Sequence, residues 1–313
     1  MTTWDFACSD PVDISIDSWA SGSIVVSGEP TSTVAVEVVA SRRSADAEDL
    51  LAQVQVGLED GQLYIRGPRP LAFGRRRGLE LTIKVPEGSS CAAKTASADL
   101  ACVGEIGALA MQTASGDTSA ASVSGDVTVQ SASGDVLLDS TGGEVAIRTA
   151  SGDVHVSRIG GDARISTASG DVAIGYCASS MTAQTASGDI RLGAVATGQI
   201  ELRSVSGDMQ VAVVPGIGVY LDLASTSGSI HSALDPSDAD DDLGSSAVPV
   251  EISCRTLSGD IRIIKATGVT SPPAAPGADP EFPAASAREQ AAPGHEPSEN
   301  AQPGQATQQA IEP

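Results

Sequence analysis

Aromatic side chains are nearly missing from this 313-residue chain, which has three Phe, two Trp and three Tyr, 3% in all. That scarcity excludes a core of stacked rings. The apolar residues are still 41% of the chain, so any core is built from small aliphatic side chains, as suits the narrow interior of a solenoid. Positive charge is equally short: 18 Lys and Arg face 40 Asp and Glu, for a net charge of −22. The deficit holds in every region, with 8 basic and 13 acidic residues in 1–88, 9 and 21 in 89–270, and 1 and 6 from Ser271 onward. Such a surface repels phosphate backbones and anionic lipid heads, which argues against nucleic acid as a partner.

No apolar run approaches the ~20 residues of a membrane span, so direct membrane insertion is not expected. The opening Met1-Thr-Thr-Trp-Asp-Phe has neither a basic segment nor an apolar stretch, and the expected location is the cytoplasm. Cysteines are few, odd in number and far apart (Cys8, Cys91, Cys102, Cys177, Cys254), with no metal-binding or redox spacing, which fits a reducing compartment. Of three histidines, His155 falls on an outward position, His231 follows a weak repeat and His295 lies near the end, none with a partner at catalytic or metal spacing. The Gly-x-Ser-x-Gly elbow is absent and the glycine-rich corners lack a phosphate-loop lysine. The expectation is a protein that is not an enzyme and uses no cofactor.

What the chain does have is a repeat of nine. Counting in nines from Ser89, the first place falls on Ala98, Gly107, Gly116, Gly125, Gly134 and so on to Gly188, twelve units without a gap. The second place is mostly acidic. The third is apolar except at Thr118, and the fifth is apolar throughout, from Ala93 and Cys102 to Leu192. Side chains alternate along a strand, so places three and five share one face and place four the other. Each unit therefore reads as a short strand followed by a Ser-Gly-Asp corner, with glycine supplying positive φ and Asp or Ser closing the turn. The fuller Thr/Ser-Ala-Ser-Gly-Asp corner recurs every eighteen residues, at Thr113, Ser131, Thr149, Thr167 and Thr185. The fold class is thus all-β: a single-stranded β-helix or β-solenoid with two nine-residue units per coil and about eight coils. The period slips by one residue before Gly198, and Ser227-Gly228-Ser229 and Ser258-Gly259-Asp260 close the array.

Residues 1–88 read as a strand-rich cap. Val12–Ile16, Thr33–Val38, Gln62–Ile65 and Leu79–Val85 alternate as strands, and Ser44–Gln53 reads as a short helix capped by Ser44. The solenoid is assigned to 89–268, interrupted by an acidic loop at 235–248, and the Pro/Ala/Gln/Glu-rich 269–313 has the composition of a disordered tail. Arg75-Arg76-Arg77, between two glycines, is the one basic cluster. It reads as a solvated hairpin tip, or else as a contact for an acidic partner or lipid head.

The stacked column Asp117, Asp135, Asp153, Asp171 and Asp189 is the most chemical feature. Each Asp reads as closing its own corner while facing solvent, and no metal site is expected. A calcium ladder is the alternative, since calcium-binding nonapeptide repeats share the period. Against it, Ca²⁺ takes 6–8 oxygens and the double Gly-x-Gly turn of those repeats is missing here.

These repeats, the strand-rich opening and the phrase Leu81-Thr-Ile-Lys-Val-Pro-Glu-Gly88 resemble a bacterial "putative adhesin" β-strand-repeat family, a domain of unknown function nicknamed toastrack. The resemblance spans roughly residues 5–265. It implies a β-helical domain without a catalytic set, in a family some members of which sit in cell-envelope stress systems. The expected function is a non-catalytic scaffold or binding module presenting outward positions such as Arg148, His155, Arg164 and Arg191 to a partner, a protein above all, with self-association possible. Two alternatives stand beside it: a surface adhesin, and a cytoplasmic filament-forming β-helix, because open strand edges invite stacking.

Overall fold

The computed structural model describes residues 1–40, 45–68, 78–234 and 249–266. The Arg75–Arg77 cluster, the acidic loop, the C-terminal tail and the Ser44 cap all lie outside the described residues.

The repeat folds as parallel strands offset by eighteen. In β10 (Val127–Ser131), Val127 sits opposite Val145 of β12 (Val145–Thr149) on one side and Leu109 of β8 (Leu109–Thr113) on the other. In β11 (Val136–Thr141), Val136 sits opposite Val154 of β13 (Val154–Ile159) and Thr118 of β9 (Thr118–Val123). Each coil therefore has two faces. A first face carries β8, β10, β12, β14 (Ala163–Ser166) and β16 (Met181–Ser187), and a second carries β9, β11, β13, β15 (Val172–Cys177) and β17 (Ile190–Val195). The one-residue slip before Gly198 appears as an offset of nineteen: Met181 pairs with Ile200 of β18 (Gln199–Ser206), and Ile190 with Met209 of β19 (Met209–Val213).

Places three and five fill the interior. Val127, Val129, Val145, Ile147, Val154 and Val156 are all 0–1% exposed. Burying each such side chain contributes about 1.5–3 kcal/mol. Thr118, the one polar residue at place three, is buried as well, and its Oγ1 has no hydrogen-bond partner.

The corners use glycine in two ways: Gly188, Gly207 and Gly259 have the expected positive φ, at 155°, 152° and 150°, while Gly116, Gly134, Gly152 and Gly170 do not. The latter four are packed carbonyl against Cα: a Cβ on Gly134 would lie 1.9 Å from the Gly116 carbonyl oxygen. At the first two of these corners the hydroxyl three residues earlier closes the turn, with Thr113 Oγ1 accepting from Gly116 N–H at 2.9 Å and Ser131 Oγ from Gly134 N–H at 2.8 Å, whereas the Thr149 and Thr167 hydroxyls are buried without a partner.

The coil stack does not begin at residue 89. The long strand β2 (Asp13–Glu29) is itself a coil, with Ile14 opposite Cys91 and Ile24 opposite Leu100 of β7 (Ser90–Ile106). On its other side, β5 (Gln62–Arg66) and β6 (Leu79–Pro86) form a further layer on β2. Only the outermost strands cap, and they do so antiparallel: β3 (Thr33–Ala40) on β6, β1 (Thr2–Ala7) on β3, and β4 (Gln55–Glu59) on β5. The short helix α1 (Ala45–Leu51) follows β3. The N-terminal segment is therefore two coils plus a cap. Its hydrophobic alternation resembles the repeat but its corner is Ser18-Trp19-Ala20, with the Trp19 ring buried and its Nε1 donating to the Leu79 carbonyl at 3.3 Å.

At the other end the chain leaves sequence order. The first-face strand β22 (Val250–Ser258) lies between β18 and β20 (Val219–Ser227), while β23 (Ile261–Lys265) lies between β19 and β21 (Ile230–Ser232). The last coil in sequence is thus the second-to-last in space. Among the described residues eleven layers stack, in the order 62–86, 13–29, 90–106, 109–123, 127–141, 145–159, 163–177, 181–195, 199–213, 250–265 and 219–232.

The register separates neighbours sharply. Val156→Asp places an unpaired carboxylate in a fully buried position and is expected to cost several kcal/mol in urea unfolding. His155→Asp, at an exposed position one residue away, is expected to leave the midpoint nearly unchanged, and equal effects would contradict the register.

Candidate functional site

The aspartate column is built by the stack. The N–H of Asp135 donates to Asp117 Oδ1 at 2.9 Å, that of Asp153 to Asp135 at 2.9 Å, that of Asp171 to Asp153 at 2.8 Å and that of Asp189 to Asp171 at 2.8 Å. The series starts at Asp99 and runs on through Asp208 and Asp260 to the N–H of Ser229. Each carboxylate therefore closes the corner of the next coil, not its own. The opposite corner repeats the device, with Asp126 accepting from the N–H of Glu144 and Asp162 from that of Ser180.

One oxygen of each of these carboxylates is committed to a backbone N–H, and each layer of ~4.8 Å adds a single carboxylate to the column. Among the described residues no three His, Cys, Asp or Glu side chains are grouped to hold a metal ion. Guanidinium groups relieve the stacked charge at one end. Arg191 reaches Asp189 at 2.7 Å and Asp171 at 3.8 Å, and Arg262 reaches Asp260 at 3.2 Å and Asp208 at 4.0 Å. No ion pair reaches Asp99, Asp117, Asp135 or Asp153 among the described residues.

The cysteines are packing residues. Cys91, Cys102, Cys177 and Cys254 are buried and Cys8 is half-buried, all as free thiols. Burial pushes the Cys254 thiol up to about 12. Burial likewise raises Cys177, and a hydrogen bond with Cys102, reinforced by burial, holds Cys91 well above the usual thiol range. A thiol so held is a poor nucleophile near neutral pH.

The outward positions singled out in the sequence do not form one surface. Arg148 and Arg164 are on the first face, Arg148 opposite Gln130 and Arg164 opposite Ala146, whereas His155 and Arg191 are on the second, each opposite Ala173. Arg164 is paired with Glu144. Beside Arg148, the sixth place of alternate units also carries Gln112, Gln130 and Gln184 on the first face, which the sequence reading passed over together with Tyr64 and Tyr220, 47% and 63% exposed on that face. The signal for the glutamines was present as a second period of eighteen beside the corner motif.

Stacked parallel coils, an interior filled at alternate places and side-chain ladders down the corners leave one family reading. The chain belongs to the Toastrack DUF4097 family. The family's model matches residues 12–264, so this Toastrack domain includes the two N-terminal coils as well as the Ser-Gly-Asp repeats. Among solved structures, a "putative adhesin" from Parabacteroides distasonis is 13% identical, with a TM-score of 0.46, covering 84% of this chain and 96% of its own. A "putative adhesin" from Bacteroides fragilis is 12% identical with a TM-score of 0.43 and the same coverage. A "putative lipid binding protein" from Parabacteroides distasonis is 12% identical with a TM-score of 0.40, again over 84% and 96%. No curated protein matches the chain.

Two outcomes test the ladder. Asp135→Ala strips the Asp153 N–H of its acceptor and is expected to cost about 1 kcal/mol in chemical denaturation. Asp135→Asn keeps an acceptor oxygen and removes like charge from the column, so it is expected to be close to neutral. An equal loss in both variants would move the effect from the hydrogen bond to the charge.

Acid provides the second test. The N–H and hydroxyl of Ser229 hold Asp260 below the usual carboxylate range, and the hydroxyl and N–H of Ser179 and Ser180 do the same for Asp162. Their folded values lie below the unfolded ones. The stability they add is therefore present above the unfolded carboxylate range and is lost as pH falls through the folded values. Melting temperature should fall on that acid limb, and Asp260→Asn should flatten it; a variant curve parallel to the parent would sever Asp260 from the effect.

Proposed function

We propose that this Toastrack protein is a non-enzymatic binding module that offers its two broad β faces to a macromolecule. The observation that carries the reading is the commitment of its most chemical residues to structure. The aspartates accept backbone N–H groups between coils, and the cysteines are mostly buried with raised thiol values. What remains free is a repetitive surface on a scaffold whose register fixes each outward side chain against the next. Cell-envelope stress sensing is the setting that the family resemblance implies, and it forms part of this proposal, with a protein partner as the expected contact.

The deciding experiment is a crosslinked pull-down of tagged protein together with cell fractionation. Recovery of membrane-signalling proteins with the bait in the cytosol supports the sensor reading. Recovery of the protein on the outer surface replaces it with the adhesin. Turnover of a small molecule by purified monomer would overturn both.

A further inference from the structure

The stack ends differently at its two ends. At the N-terminal end the antiparallel strands β1, β3 and β4 close the interior, with Trp4 and Phe6 packed against the core. At the other end the last layer, 219–232, is an ordinary parallel coil that is paired on one side only among the described residues. Its inward side chains Val219, Leu221 and Leu223 are only partly covered, and Ile230 is 47% exposed.

The hydrogen bonds on the inner side of β20 define what its free edge presents. The N–H of Val250 donates to the Gly218 carbonyl at 2.9 Å, and Val250 lies opposite Val219. Backbone groups alternate in direction along a strand. Gly218, Tyr220 and Asp222 therefore direct theirs to β22, while Val219, Leu221 and Leu223 point theirs away from it. A sheet edge is ordinarily blunted by shortness, proline, lysine or an inward charge. Strand β20 is nine residues long and has none of these devices. Its one charge, Asp222, faces outward and is held by Arg255 at 2.9 Å.

We propose that β20 pairs antiparallel with β20 of a second copy, joining two chains end to end across a two-fold axis at Leu221. The edge is complementary to itself in that register. Val219 faces Leu223 of the second copy, Leu221 faces Leu221, and Tyr220 faces Asp222. Apolar side chains then meet in the interior, and a phenol donor meets a carboxylate on the outside. The free backbone groups of residues 219, 221 and 223 bond to one another in reciprocal pairs. An axis at Asp222 would set two carboxylates face to face, and an axis at Leu223 would set Leu221 against Ser225. The corner ladder also stops here. Its last acceptor, Asp260, takes the N–H of Ser229, and that layer has no carboxylate at this corner to receive a further parallel coil.

The two longest stretches outside the described residues match this edge poorly. Residues 235–248 hold five aspartates and a single leucine. The stretch from Ser271 onward holds nine prolines, which carry no N–H to bond an edge. Because each copy uses the same strand, the contact closes at two and leaves the broad faces of both copies free. The pairing goes beyond the binding-module reading and does not rest on it.

The test is analytical ultracentrifugation of the full chain over a range of concentrations. It is run near physiological salt, where the repulsion between two chains of charge −22 is screened over about 8 Å. A transition from 31.4 kDa to twice that mass is expected, with no larger species. Tyr220 is 63% exposed, so substitutions there change what faces Asp222 of the second copy while leaving the fold alone. Tyr220→Asp is expected to weaken the dimer at least about tenfold and Tyr220→Lys to keep it, both with the parent's circular dichroism spectrum. Under mild oxidation Leu221→Cys is expected to yield a disulfide-linked dimer, because a hydrogen-bonded antiparallel pair holds its Cα atoms about 5.5 Å apart. A monomer at every concentration would overturn the proposal. So would growth beyond two copies, equal effects of the two Tyr220 substitutions, or no crosslink through position 221. None of these outcomes bears on the binding-module reading, which the pull-down decides separately.

Discussion

Both faces of every coil must pair with the next coil at once, and that requirement fixes the coil length. A residue on the first face and one on the second stay in register only if the chain returns to the same place after the same count, here eighteen from Leu109 to Met181. Where one residue is added before Gly198, the whole following coil shifts to an offset of nineteen on the first face. On the second face the extra residue is reabsorbed between Leu192 and Val195. The corner chemistry follows from the same constraint. Identical corners fall directly above one another, so a short acceptor on one coil finds the N–H of the next, and a glycine is needed wherever a carbonyl lies against Cα.

Much of this was legible in the sequence because the constraint is itself periodic. Valine, isoleucine and leucine at places three and five of the repeat announce the interior, and the structure buries them. The N-terminal coils were not legible. Ile14 pairs with Cys91, 77 positions further along the chain, and the corner at Trp19 has no Ser-Gly-Asp, so neither period nor motif marks residues 13–29 as part of the stack. The order of the last two coils was equally hidden, since both carry a Ser-Gly corner, Ser227-Gly228-Ser229 and Ser258-Gly259-Asp260. Burial alone tells them apart: Val250, Ile252 and Cys254 are 0% exposed, while Val219, Leu221 and Leu223 are only partly covered.

The candidate site illustrates the limit of local reasoning. Turn chemistry assigns an Asp after Gly to its own corner, because the nearest N–H in sequence is there. Stacking brings a nearer one from eighteen residues away. The same blindness hid the glutamine and arginine column, whose members only the register lines up. Arg148 and His155 are seven apart in sequence yet on opposite faces, which separates residues that a linear reading grouped.

The exchanged order of the final coils bears on how the chain is completed. Strand β20 pairs only with β22 among the described strands, and β22 is made later. As the polypeptide leaves the ribosome, residues 219–232 emerge before residues 250–265, the strands with which they finally pair. Residues 250–265 therefore act as a keystone: the stack is not completed in simple sequence order, and a nascent chain halted before residue 250 lacks the strands that β20 and β21 pair with among the described residues.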